Sequence, residues 1–296
     1  MQRRLLKVKT RMRIHAHRKT IELLDGEYAS IHHGRSHDFD DLREYAPGDE
    51  VKDIDWKATA RSNVPLIKRY IASRQHNIVF VVDTGRGMAA VGESGEPKHE
   101  IAIQAVGVLA YLATRHGDRA ALYTGDSDRL DFMPQGGSEA HIERMLRRID
   151  EAVSLESPRS DMTFLLTQVA RRLKHRSIVI IVADDILLDQ EMVAQLGRLH
   201  ARHEVLWISV GDADLMARTA TAPAVWSVEE GVELPDFVRR NRRLQRVFDE
   251  GVEQRRDLLE SELRKKGVAG IRIGSTRETV PALFRLLERH RRARRP

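Results

Sequence analysis

The chain has 296 residues, 41% of them apolar and 32% charged, with no cysteine and a formal net charge of +6. That length allows one large α/β domain with a smaller attached region, or two modest domains. The composition excludes disulfides, thiolate metal sites and cysteine nucleophiles, and no apolar run reaches the roughly 18–20 residues that cross a bilayer.

In chain order, the first fifteen or so residues form a charged helix. Residues 1–19 hold eight Lys or Arg and no acid. This stretch has no apolar core segment, so it does not read as a secretory signal, and the expectation is a cytoplasmic protein. Residues 20–75 hold short apolar stretches, YASIHH and PLIKRYIASR, around a dense polar segment with a turn at Pro47-Gly48. They predict short strands and turns, a β-rich annex spanning residues 1–75 together with the first helix.

From residue 77 strands and helices alternate. NIVFVVD is a buried strand by its continuous β-branched run. KHEIAIQAVGVLAYLATRH is apolar on most sides and predicts a buried helix. RAALYTG is a second strand and RLDFMP its antiparallel partner. SEAHIERMLRRI is helical with Ser138 as N-cap. DMTFLLTQVARRLKH is helical, with Met162, Leu165, Val169 and Leu173 on one stripe. SIVIIVAD is a strand, DQEMVAQLGRLHARH a helix capped by Asp189, EVLWISV a strand and AVWSV a short one. Residues 235–266 form an amphipathic helix with Phe237, Leu244, Phe248, Val252, Leu259 and Leu263 on one face, a cover for the sheet. VAGIRIG and RETVPALFRLLERHRR add a last strand and helix. This spacing predicts an α/β domain over residues 76–296, a mostly parallel sheet with helices on both faces.

The chain ends as it begins: residues 289–296 hold five Arg and no acid. Residues 20–288 are left with 37 basic and 44 acidic side chains. Basic ends on an acidic body suit solvated termini, or peripheral contact with an anionic membrane surface. Few aromatics are interleaved with these charges, so no specific nucleic-acid binding is expected.

Ligands of open α/β sheets bind at the carboxyl ends of the strands. Two strands here end in acids there, one in Asp83 and one in Asp184 and Asp185. Adjacent carboxylates repel unless a cation or proton lies between them, and hard oxygen ligands favour Mg2+, Mn2+ or Ca2+. The hydroxyl of Thr163 adds a candidate ligand. GRGMAA also fits the glycine pattern of a dinucleotide loop, but VGESGEP separates it from the helix that should meet the pyrophosphate. A third reading makes Asp83 a turn cap or a partner of Arg86. The alternative function is a metal-dependent hydrolase or nucleotide-binding enzyme using the Asp83/Asp184 cleft. No Ser-His-Asp set, P-loop or H-E-x-x-H accompanies it, and His32, His33 and His37 lack the companion ligands of a zinc site.

The segment from Gly34 to Met88 resembles the hallmark of the bacterial "domain of unknown function fifty-eight" family. The matching residues are Phe39-x-x-Leu42-Arg43-x-Tyr45-x-Pro47-Gly48-Asp49, then Ile54-Asp55-Trp56 and Ala60-Arg61, then the strand into Asp83. The resemblance implies a von Willebrand factor A-like (Rossmann-like) fold in a family with no established catalytic activity, and the expectation is a non-enzymatic interaction module, an adaptor or co-chaperone-like partner of a MoxR-type AAA+ ATPase. It implies a metal-ion-dependent adhesion site in which Asp83, Thr163 and Asp184 hold the ion. Gly85 and Gly87 stand where that motif carries serines, which implies weak Mg2+ or Mn2+ binding, or none. The charged and aromatic block Phe39–Arg61 is expected to be an annex packed on the sheet, a docking surface anchored by Trp56, or both.

Overall fold

The computed structural model describes residues 3–16, 18–33, 42–46, 54–62, 64–68, 75–186, 188–213, 226–233, 235 and 241–293. Helix α1 (Arg4–His15) forms because Leu5, Val8 and Met12 fall on one stripe, and all three are buried. Its first free amides are satisfied from a distant helix: the Arg4 and Leu5 N–H groups donate to the Glu143 carboxylate at 3.0 and 2.8 Å. Val8 sits in the notch left by Gly107, where a Cβ would lie 2.8 Å from Val8 Cγ2. Helix α2 (Arg18–His33) replaces the strands and turns expected for residues 20–33. Leu24 and Tyr28, four apart, share a helical face and are buried, and Tyr28 Oη donates to Asp118 at 2.9 Å.

Residues 1–28 and 76–296 form one compact unit and residues 29–75 another. The annex therefore begins near residue 29, not residue 1, because the stripes of α1 and of the first part of α2 are buried with the large unit. Within the small unit, strand β1 (Leu42–Glu44) pairs antiparallel with β2 (Leu66–Lys68), and helix α3 (Trp56–Ser62) lies between them in sequence. The helix is a departure from the strand-and-turn expectation. Asp55 starts it by accepting from the Lys57 and Ala58 N–H groups at 3.0 and 3.1 Å. His37 and the Pro47-Gly48 turn lie outside the described residues, and so do the side chains of His32 and His33.

The large unit follows the expected alternation. Strand β3 (Asn77–Asp83) leads through a 3-10 turn at Arg86–Ala89 to helix α4 (Lys98–Arg115). Strands β4 (Arg119–Gly125) and β5 (Leu130–Gly136), helices α5 (Glu139–Ala152) and α6 (Met162–Arg172), strand β6 (Ile178–Asp184), helix α7 (Gln190–Arg202) and strand β7 (Glu204–Val210) come next. A hairpin of β8 (Trp226–Ser227) and β9 (Val232–Glu233), helix α8 (Arg242–Lys265), strand β10 (Ala269–Ile273) and helix α9 (Thr279–Ala293) complete it. The sheet runs β10-β7-β6-β3-β4-β5, parallel except for β5. Helices α4, α5 and α9 lie on one face with α1 outside them, and α6, α7 and the end of α8 lie on the other. This is the expected α/β architecture.

The caps read from sequence form as expected. Ser138 accepts from the His141 N–H, and Asp189 from the Met192 N–H at 2.7 Å. Asp189→Ala should cost about 0.5–2 kcal/mol, read from urea unfolding. Helix α8 departs from its pattern. Of the expected stripe only Leu259 and Leu263 are buried, Leu244 is exposed, and Phe237 lies outside the described residues. The helix covers the sheet with its last turns alone.

Candidate functional site

The chain leaves β3 toward β4 on one side and reaches β6 and β7 on the other. The strand order thus reverses between β3 and β6, and a reversal opens a crevice at the carboxyl edge. Val82 pairs with Val182, so Asp83 and Asp184 end neighbouring central strands. The structure brings these two expected residues together. Asp83 is almost fully buried; its Oδ1 accepts from the Gly85 N–H at 2.9 Å, while Oδ2 has no partner. The turn-cap reading is therefore correct for one oxygen only. Burial pushes the Asp83 carboxyl up to about 6, against the Gly85 amide and the nearby Ser160 hydroxyl, with Glu229 adding repulsion. The Ser160 hydroxyl approaches Asp83 without completing a well-aligned hydrogen bond.

Thr163 is not part of this group. It lies in the first turn of α6, where its hydroxyl donates to Asp189 at 3.4 Å. The hydroxyl that the loop before α6 delivers is that of Ser160, three residues earlier. A Cβ added at Gly85 would lie 2.5 and 2.6 Å from Ser160 N and Cα, so the Ser160 backbone fills the space a serine at 85 would need. A Cβ at Gly87 would meet Asp184 Oδ2 at 2.9 Å and Glu229 Oε2 at 3.2 Å. Glu229, in the turn of the β8–β9 hairpin, joins the cluster from a segment with no sequence signal.

Sequence reasoning also missed Lys98. Its side chain is 1% exposed, and its ammonium donates to Asp184 Oδ2 at 2.6 Å and to Asp212 Oδ1. Burial would lower the Lys98 pKa, but Asp184 and Asp212 outweigh it and raise the pKa. Asp184 is pushed up by burial, against the pull of Lys98, with Asp212 and Asp83 adding to the rise. One ammonium faces several acids, so it is firmly charged while they remain under-compensated.

These residues do not fit a resident divalent ion. Neither motif serine is present, Asp184 is engaged by Lys98, and among the described residues no third acid or histidine converges with Asp83 and Asp184 within 4.8 Å. Among the described residues, the trio that does converge is His99, Glu100 and Asp150, and its acids are taken by cations of α1: Arg4 bonds both, and Lys7 and Arg11 reach Glu100 at 2.8 and 3.0 Å.

The chain is 28% identical over 193 residues to an uncharacterized protein of Mycobacterium tuberculosis and, at the same identity and length, to one of Mycobacterium bovis. Each match covers 64% of this chain and 60% of the relative, so the chain spans about three-fifths of the curated relatives' length. Among solved structures, it is similar to an aerotolerance-related membrane protein from Bacteroides fragilis, with TM-score 0.44 and 13% identity over 72% of this chain and 98% of that one. It is also similar to a von Willebrand factor type A protein from Catenulispora acidiphila, with TM-score 0.41 and 8% identity over 73% of this chain and 42% of that one. The profile of the family described as "Protein of unknown function DUF58" matches residues 41–256. With that match over most of its length, the chain belongs to the DUF58 family.

Proposed function

We propose that the protein is a non-enzymatic, cytoplasmic interaction module that docks a protein partner at the carboxyl edge of its sheet. The observation that carries this reading is the strand-end cluster at the switch point: Asp83 and Asp184 meet there, Lys98 already holds Asp184, and among the described residues no third acid or histidine converges on the pair within 4.8 Å. The Ser160 hydroxyl approaches Asp83 without a well-aligned hydrogen bond, which gives weak support to its activation as a nucleophile. Asp83 and Asp184 line neither of two cavities, of about 460 and 440 Å³, which lie beside Tyr123 and beside Trp207. Among the described residues no helix is long and apolar enough to cross a membrane.

For the partner, the family resemblance supports a MoxR-type AAA+ ATPase, with this chain as adaptor or co-chaperone-like companion. The exposed Trp56 of the small unit, 65% exposed, supports a second contact there, because a large aromatic side chain left in water suits an interface anchor. Peripheral membrane contact through the basic ends has weaker support, since Arg4, Lys7, Lys9 and Arg11 already pair with acids of the body.

Gentle co-purification from the native host should recover an AAA+ ATPase, and the yield should fall with Trp56→Ala. Recovery of no ATPase would count against the proposed partner. A nucleotide panel should leave the melting temperature unchanged, and stabilisation by nucleotide alone would favour the enzyme reading.

A further inference from the structure

The strand-end cluster contains a cation of its own. Lys98 opens α4, and its place is set by the backbone before it. The Lys98 N–H donates to Ala90 O at 2.9 Å, and Val91 forms a β-bridge with Pro97. The segment after DTGRGM therefore folds back and sends the Lys98 side chain inward under the ends of β3 and β6. A second bridge, between Gly92 and Asp212, carries Asp212 to the same place. The ammonium bonds Asp184 and Asp212, one acid from the end of β6 and one from just past β7. A buried ammonium is costly unless its protons find acceptors, and here carboxylates from two strand ends supply them.

We infer that the Lys98 ammonium is the resident cation of this edge and takes the place of the divalent ion that the strand-end carboxylates would otherwise need. The geometry makes the two occupants exclusive. An ion ligated by Asp184 Oδ2 would share that oxygen with an ammonium 2.6 Å away, and two cations on one buried oxygen repel. Side chains with the hydroxyls for an ion are missing at Gly85 and Gly87, while the side chain that neutralises Asp184 comes from the start of the helix that follows this loop. The edge is thus preorganised without metal, and whatever it contacts meets a surface indifferent to Mg2+, Mn2+ or chelator. This holds whether or not the edge docks a protein.

The test uses the full chain, with calorimetric Mn2+ titration and thermal unfolding in millimolar Mg2+, Mn2+ or EDTA. The wild type should show no saturable Mn2+ heat and one melting temperature in all three. Lys98→Met keeps the bulk and removes the charge, so the melting temperature should fall by roughly 5–15 °C. Adding Asp184→Asn to Lys98→Met should recover part of that loss, because it removes a carboxylate left without its cation. Saturable Mn2+ binding by the wild type that disappears in Asp83→Ala would overturn the inference. A Lys98→Met protein as stable as the wild type would also overturn it. Should Lys98→Met not fold, the wild-type titration decides alone.

Discussion

Gly85→Ser should destabilise the protein by about 1–3 kcal/mol, although it restores a residue of the adhesion motif. The reason lies in the loop before α6. A Cβ at 85 would fall within 2.6 Å of the Ser160 backbone, and backbone cannot rotate away as a flexible side chain can. The Ser160 loop is itself tied down, since the Arg86 N–H donates to Pro158 O at 2.9 Å and the Ser127 N–H to Arg159 O at 2.9 Å. Gly87→Ser should cost clearly less. The atoms its Cβ meets belong to the Asp184 and Glu229 carboxylates, which can shift by a few tenths of an ångström, and the new hydroxyl can donate to one of them. Urea unfolding of both variants at one pH gives the comparison. A Gly85→Ser protein as stable as the wild type would show that the loop yields and that the motif position is open.

Glu100→Gln should release the N-terminal helix, at a cost of about 2–4 kcal/mol. Its carboxylate, 13% exposed, accepts from Arg4, Lys7 and Arg11 together, which ties three successive turns of α1 to α4. Removing the charge leaves Lys7 and Arg11 facing a neutral amide and Arg4 with Asp150 alone. The range sits below that of a fully buried pair, because Lys7 is about a third exposed and solvent screens part of the loss. Trypsin should then cut at Arg11 and Arg13 under conditions that leave the wild type intact. Uncut α1 in the variant would mean that Leu5, Val8 and Met12 hold the helix without Glu100.

The same cluster gives a pH dependence with a definite sign. Burial would push the Glu100 carboxyl up, but hydrogen bonds and charge from Lys7 and Arg4 outweigh it and hold it at about 2. A carboxyl lowered in the folded state binds fewer protons than in the unfolded state, so its contribution is present above the ordinary value of 4.5. That contribution is lost as pH falls from 4.5 toward 2. Stability measured at pH 5 and pH 3 should differ less in Glu100→Gln than in the wild type. An equal difference in both would show that other acids set the acid limb.

The amino-acid order by itself determined the sheet. Continuous β-branched runs such as Ile78–Val82 and Ile178–Val182 can be buried on both faces only inside a helix-covered parallel sheet, and Ser138 and Asp189 mark helix starts by local hydrogen bonding. It also placed Asp83 and Asp184 at one edge, because a parallel sheet puts the ends of all its strands on the same side. The family is legible there too, in Gly34 to Met88, through residue types at fixed spacing. Only the tertiary structure decided which side chains complete the cluster. Lys98, Asp212, Ser160 and Glu229 reach Asp83 and Asp184 from four separate segments, and no local spacing records that meeting. Thr163 was the natural choice by motif, yet the helix beginning at Met162 turns its hydroxyl toward Asp189 and leaves Ser160 in the loop. The basic N-terminus reads as a solvated end in sequence, because the acids that neutralise it, Glu100, Glu139, Glu143 and Asp150, lie about ninety to one hundred and fifty residues away and approach only when α4 and α5 pack together.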